Sequence, residues 1–288
     1  MLAQQTLKSI RRRDAIRRLD KAAPLFADND FVHRHAFDGL LERMQPMQLK
    51  ANRILDLGSA TGAGSRQIAK SFRRCHVTSL DLSYAMLKMA RRGRSRFARI
   101  SEIRGDAAKL PLKTGSIDLI FANMLLPWID NLESLFAEIA RVLRHDGLFA
   151  FSTLGPASMA NLRQAWNDTN AHVSQFVDMH NIADGLMRAG LREPIVDVDP
   201  LLLSYRDIDS LFRDLTATGA RNCLRDRFPG LTGKEKFKGM REWLQSQFRN
   251  GVLTVELEII YGHAWGGGPA QPPGEFHVDP AQIGRRRR

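Results

Sequence analysis

Apolar positions change their spacing several times along the chain. From residue 5 to about 46, Phe31, Phe37, Leu40, Leu41 and Met44 recur at helical intervals, and Asp28 or Asn29 stands where a cap would start the run. Short continuous apolar runs then take over: RILDLG (53–58), HVTSLDLS (76–83), ISEIRGDA (100–107), SIDLIFAN (116–123) and GLFAFSTL (147–154). Helical spacing fills the gaps at 64–72, 84–92 and 132–143. Strands alternating with helices of that length predict right-handed βαβ units and a parallel sheet.

After Leu154 the rhythm changes again. Helices are expected at 158–170 and 182–189, with Gly190 placed to stop the second. A strand at 193–205, helices at 208–218 and 234–248 and a long strand at 252–265 follow, and no internal repeat is visible. The predicted class is α/β: a doubly wound, mostly parallel, seven-stranded Rossmann-like sheet. A helical N-terminal cap (1–48) precedes the main domain (49–265). That domain carries a helical insertion on the substrate side at about 156–190, and an irregular basic tail (266–288) closes the chain.

Composition narrows the class. At 43% hydrophobic and 26% charged, the 288 residues can bury a core, which excludes a disordered or collagenous chain. Two cysteines, Cys75 and Cys223, make no disulfide framework and no zinc spacing. The longest apolar stretch, 117–129, is broken by Asp118, Asn123 and Pro127 and is too short to span a bilayer. The segment MLAQQTLKSIRRRD has no secretory hydrophobic region before a small-residue cleavage site, so a secretory signal is not expected from it. A basic amphipathic start makes a mitochondrial presequence conceivable, but Asp14 and Asp20 oppose it, so a reduced cytoplasmic protein is expected. The formal charge of +12 favours acidic partners. Arginines crowd positions 11, 12, 13, 17 and 18, then 91, 92, 94, 96 and 99, and end the chain at 285–288. Solvated helix faces and a disordered tail explain them more readily than a specific docking role does.

The chemistry lies in ILDLGSATGAGS. Gly58, Ala60 and Gly62 occupy a tight strand-to-helix turn where small residues let a ligand approach the backbone. Asp81 ends the next strand, where its carboxylate can hold both hydroxyls of a ribose. Asp106, expected to end the third strand, can meet an adenine amino group, and the fourth strand delivers FANMLLPWID to the same edge. A dinucleotide site would require glycine at 60 and 63, where Ala60 and Ala63 stand.

Over residues 50 to 155 these motifs resemble the class I S-adenosylmethionine-dependent methyltransferases: LDLGSATG the first motif, LDLS the second, GDAAKLP the third and SIDLIFAN the fourth. The resemblance implies S-adenosyl-L-methionine as cofactor, with contacts from Asp56, Gly58, Ser59, Ala60, Gly62, Asp81, Leu82, Met86, Asp106, Ala107 and Asn123. Family members usually carry glycine where Ala60 stands; a methyl group there fits at negative φ and crowds the cofactor at positive φ. The Asn/Asp-Pro-Pro-Tyr motif of amino-nitrogen methyltransferases is absent after the fourth strand, where Pro127 and Trp128 suggest a carboxylate or a carbon chain instead.

Almost end to end, segments such as FSTLGPASMANLRQAW, DIDSLFRDLTATGARN and LTVELEIIYGHAW resemble the malonyl-acyl-carrier-protein O-methyltransferases of biotin synthesis. That implies methyl transfer to the free carboxylate of a malonyl thioester on a strongly acidic carrier protein, with no metal and no general base. Trp128, as a cover for the methyl group, and Arg163 and Arg206, as cations for the carboxylate, are the substrate-side candidates. Phe26 stands where such proteins often have tyrosine. The segments FRDLTATGARN and GHAW also resemble a methyltransferase-fold arginine hydroxylase that assembles respiratory complex I, and the basic patches leave an RNA methyltransferase as a third reading.

Overall fold

The computed structural model describes residues 9–72, 74–94, 98–227, 230 and 232–267. Seven strands form one sheet: β1 (Arg53–Leu57), β2 (His76–Asp81), β3 (Ile100–Arg104), β4 (Ile117–Asn123), β5 (Leu143–Leu154), β6 (Arg192–Tyr205) and β7 (Leu253–Trp265). Their order is β3-β2-β1-β4-β5-β7-β6, and among the described residues only β7 runs antiparallel to its neighbours. The chain winds outward through β2 and β3, then restarts beside β1 with β4. That reversal between β1 and β4 opens a crevice at the carboxyl ends of the strands, where open sheets take ligands.

The helices are α1 (Arg12–Asn29), α2 (Phe31–Met44), α3 (Ala63–Ser71), α4 (Tyr84–Arg92), α5 (Leu132–Val142), α6 (Ala160–Gln164), α7 (Met179–Arg188), α8 (Ile208–Ala217) and α9 (Lys234–Ser246). Polar caps set several starts: Ser83 Oγ accepts from Met86 N, Asn131 from Ser134 N, Asp178 from His180 N and Asn181 N, and Asp207 from Ser210 N. Among the described residues no helix is long and apolar enough to cross a membrane.

Each face of the sheet carries its own core. Leu135, Phe136 and Ile139 of α5 and Ile182 and Leu186 of α7 cover one face. Phe37 and Leu40 of α2 with Ile68 of α3 cover the other. This double cover explains why the central strands read as unbroken apolar runs rather than alternating ones. The last two strands do something different. Residues 201–205 of β6 pair with 253–257 of β7, while β5 stops against Ile259. The hairpin therefore overhangs the sheet's carboxyl edge, and α6, α8 and α9 wrap it in a third apolar cluster built on Leu162, Leu211, Met240, Leu244 and Val255.

Several expectations need correction. The N-terminal helix is two helices, broken at Asp30, whose φ of −86° and ψ of 21° leave the helical region. Neither Asp28 nor Asn29 caps the second, and Asp30 itself pairs with Arg34 at 3.0 Å. The helix expected over 158–170 survives only as α6. Met159 enters it in a left-handed conformation (φ 58°), and beyond Gln164 side chains capture the backbone. There Asp168 accepts from Asn170 N at 3.0 Å and pairs with His172 Nε2 at 2.8 Å, while Trp166 and His172 stack with ring centroids 3.7 Å apart. Of the insertion at 156–190, α7 packs on the core face of the sheet. The helices of the substrate side come mainly from between β6 and β7, as α8 and α9. The third strand ends at Arg104, so Asp106 sits in a turn bridged to Lys109. All but Gly266 and Gly267 of the 266–288 tail lies outside the described residues, as do the arginines at 96 and 285–288.

Candidate functional site

The turn after β1 is built from left-handed residues. Gly58 (φ 79°), Ala60 (φ 44°) and Gly62 (φ 73°) reverse the chain before α3. Both glycines also touch neighbours: a Cβ on Gly58 would lie 2.9 Å from Leu125, and one on Gly62 would lie 2.8 Å from the Ala90 methyl. Ala60 takes the positive φ at which its methyl group was expected to crowd the cofactor, a conformation that costs about 1–2 kcal/mol for a residue with a Cβ, and that methyl group packs against the cluster of Ala22, Ala23, Phe26 and Met86. Ala60→Gly is thus expected to raise the melting temperature by about 2–4 °C, as the relieved strain outweighs glycine's extra unfolded-state entropy. A lower melting temperature would show that the methyl group's packing beside Met86 and Phe26 outweighs the strain.

Asp81 closes this loop. Its Oδ2 accepts from Ala60 N at 2.9 Å and its Oδ1 from Ser83 N at 2.8 Å. The carboxylate is buried, and desolvation raises its pKa against the pull of those bonds. Each oxygen keeps an accepting position beyond its backbone bond. The buried Ser59 Oγ, in the same loop, has no partner. Leu82 is half-buried, with its carbonyl oxygen accepting from Arg104 Nε at 3.2 Å. Met86 is fully buried against Ala22, Ala23 and Phe26.

The helix α1 roofs this end of the crevice. Asp20 Oδ1 accepts from Ser83 Oγ at 2.6 Å, and Arg12 pairs with Asp106 at 2.7 Å, so one helix ties together the ends of β2 and β3. Sequence reasoning missed Asp20 and the roofing role of Ala22, Ala23 and Phe26. The adjacent alanines, small enough for close helix approach, were the available signal.

Other expected contacts are engaged within the protein. Asp56 lies behind the loop, hydrogen-bonded to Ser65 Oγ, which also shares a 2.6 Å bond with Ser79 Oγ. Asn123 donates to the His33 carbonyl at 2.9 Å and accepts from Ser152 Oγ at 2.6 Å, joining α2, β4 and β5. The Ala107 side chain belongs to the core. The Asp106 carboxylate also caps Ala108 N at 2.9 Å.

Beside this rim opens a cavity of about 400 Å³, walled by the β6–β7 overhang, α8, α9 and the loop after α6. Trp128, in the short 3₁₀ turn Leu126–Trp128, lines it together with Met124 and Pro127. His33 lines it too: its Nδ1 is buried without a partner, and desolvation lowers its pKa to about 4, so the ring stays neutral. The expected arginines are elsewhere. Arg163 donates to the Pro156 carbonyl at 2.6 Å and to the Ser174 carbonyl at 3.5 Å and does not line the cavity. Arg206 lies in a shallow surface groove with Phe31, Leu202 and Asp207. Their places at the cavity are taken by Arg18, noted in the sequence only as part of the basic N-terminal patch, and by Arg221 and Arg227, which sequence reasoning did not single out.

The residues at the rim suit a nucleoside cofactor: a buried carboxylate with free accepting positions and an unpartnered serine hydroxyl face a loop of small residues. Comparison with known proteins agrees. Residues 55–151 match the family model described as a methyltransferase domain. A malonyl-acyl-carrier-protein O-methyltransferase of Methylovorus sp. (strain MP688) is 38% identical over 257 residues, covering 86% of this chain and 87% of that protein. This chain belongs to the malonyl-acyl-carrier-protein O-methyltransferase family.

Solved structures support the fold. The YcgJ protein from Bacillus subtilis is 15% identical with a TM-score of 0.57, covering 81% of this chain and 98% of that one. Phosphoethanolamine N-methyltransferase 2 of Haemonchus contortus, solved with S-adenosylhomocysteine, is 17% identical with a TM-score of 0.50, covering 80% and 52%. The protein is an S-adenosylmethionine-dependent O-methyltransferase.

Proposed function

We propose that the chain methylates the free carboxylate of a malonyl thioester carried by acyl-carrier protein, in the cytoplasm, giving the methyl ester that primes pimeloyl synthesis for biotin. The observation that carries this reading is the cavity: a largely apolar chamber beside the cofactor rim whose histidine and aspartate wall residues, the groups that could take a proton from an acceptor, are neutral or already engaged. His33 is held neutral, His172 is tied to Asp168, and Asp214 lies beside the Tyr205 hydroxyl. Such a chamber suits an acceptor that arrives ionised and has no proton to lose. The family relation separates this reading from the arginine-hydroxylase and RNA-methylating alternatives.

S-adenosylmethionine, when bound, supplies an electrophilic methyl group on a sulfonium whose positive charge disappears on transfer. The protein's own contribution is alignment and exclusion of water. Asp81 would hold the ribose hydroxyls, Ser59 and the loop after β1 the polar end of the cofactor, and Met86 the face of the adenosine. Trp128 would cover the reacting carboxylate. His33 offers a ring N–H without a full charge, so it can orient an oxygen while leaving its nucleophilicity intact. The positive formal charge of the chain would steer an acidic carrier toward the cavity.

Methyl-labelled cofactor and malonyl-carrier protein, followed by intact mass, test the reading. One methyl group on the carrier-bound acyl chain, lost with that chain on mild thioester cleavage, is the expected result. Label on a protein side chain or on RNA, with the malonyl group untouched, would overturn it.

A further inference from the structure

The cavity wall near Trp128 holds more positive charge than its own side chains neutralise. Arg18 from α1 and Arg221 and Arg227 from the segment after α8 all line it. Arg18 is close enough to feel both of the others as repelling charges. Among the described residues, the carboxylate that pairs with one of them is Asp14, which accepts from Arg227 Nη2 at 2.8 Å; Asp214, also in the wall, lies beside Tyr205. Cys223 lies near Arg18 and Asp14, but burial pushes its thiol up to about 11, so it adds no negative charge. Arg227 Nε is sealed from water with no partner. No hydrogen bond to the Arg18 guanidinium is found among the described residues, and burial disfavours its charge.

Arg18 and Arg227 are half-buried and Arg221 is exposed; positive charge gathered at a partly dry wall is costly without enough anions, and a ligand that supplies one relieves that cost. The place is suited to a small one. Trp128 packs on the cluster of Ile10, Ala15, Cys223 and Leu224, so the arginines sit at the cavity end nearest the strand β4 edge. We propose that Arg18, Arg221 and Arg227 form an anion pocket that binds the free carboxylate of the malonyl group and presents it for methylation. This rests on the function proposed above and names the part of the site that recognises the acceptor's charge.

The pocket has a consequence for turnover. It offers planar donors to a charged carboxylate, and one oxygen can be held while the other stays free to attack. Methylation removes the charge. The ester then faces an arginine cluster with no anion to satisfy it, which favours product leaving over product staying.

The thioester's arm also carries a phosphate, which the same arginines could take, and the experiment separates the two. Steady-state kinetics of wild type, Arg18→Met, Arg18→Lys and Arg221→Met are measured on malonyl-carrier protein and on the malonyl thioester of N-acetylcysteamine, which has no phosphate. The methionine variants are expected to raise KM about 10- to 100-fold on both substrates. Lysine at position 18 should recover part of the loss, and calorimetry should show unchanged S-adenosylmethionine affinity. A penalty confined to the phosphate-bearing substrate would make this a phosphate site and overturn the proposal. So would an unchanged KM in both methionine variants, or a parallel loss of cofactor binding, which would mark Arg18 as a brace for α1. Wild type inert toward both thioesters would instead refute the underlying function.

Discussion

Replacing Asp81 by alanine is expected to weaken S-adenosylmethionine binding about 10- to 100-fold while leaving a folded protein. The carboxylate sits at the end of β2 with one backbone N–H on each oxygen, from Ala60 and from Ser83, so its orientation is set before any ligand arrives. Its remaining accepting positions are the ones two ribose hydroxyls would use. Alanine removes those and leaves two loop N–H groups without their acceptor, at a stability cost of about 1–3 kcal/mol for each that stays dry. Asparagine is not a neutral control, because its amide would point a donor at one of those N–H groups. Isothermal calorimetry on the alanine variant decides the matter, with circular dichroism to confirm the fold. Wild-type affinity would move the ribose away from this edge. Since burial raises the Asp81 carboxyl, cofactor affinity should also fall with acidification sooner than an exposed aspartate would allow.

The crevice was legible because its parts are local. A strand ending in a glycine turn, an acid nineteen residues on and repeated apolar runs each report on a few consecutive positions, and winding rules assemble them into one edge. The acceptor chamber was not legible in that way. Its walls come from α1, the β4 turn, the loop after α6, α8 and α9, and no spacing rule says which arginine among many faces inward. Arg163 and Arg206 were plausible because the first falls in the helix expected after the fifth strand and the second at the end of the expected sixth strand. The first lies instead against the Pro156 and Ser174 carbonyls, and the second opens onto the surface. The helix expected over 158–170 failed for a related reason: Asp168 and His172 bond to each other across the turn, a preference that apolar periodicity does not register. Ala60 shows the limit most simply. Composition says a methyl group is there, but only the backbone shows that it occupies a glycine's conformation.

Asp56→Asn should stabilise the protein in neutral and alkaline solution and do little in acid. Burial, reinforced by the charge of Asp81 and opposed by the Ser65 hydrogen bond, raises the Asp56 pKa from 3.8 to about 7. In the unfolded chain the same carboxyl titrates near its ordinary value. Between those limits the folded state binds the extra proton, so stability falls as pH rises from about 4 to about 7 and stays lower above that. Asparagine has the same shape, carries no charge at any pH, and can still accept from Ser65 Oγ. The variant should therefore gain about 2–4 kcal/mol at pH 8 and almost nothing at pH 4. Thermal or denaturant unfolding at the two pH values measures the difference. The same variant separates a carboxylate that braces the loop from one that contacts the cofactor. A brace predicts S-adenosylmethionine affinity close to wild type, because the side chain faces Ser65 and the underside of α3. Lower stability at pH 8 would contradict the linkage argument, and a large loss of cofactor affinity would place the Asp56 carboxylate on the ligand side of the loop.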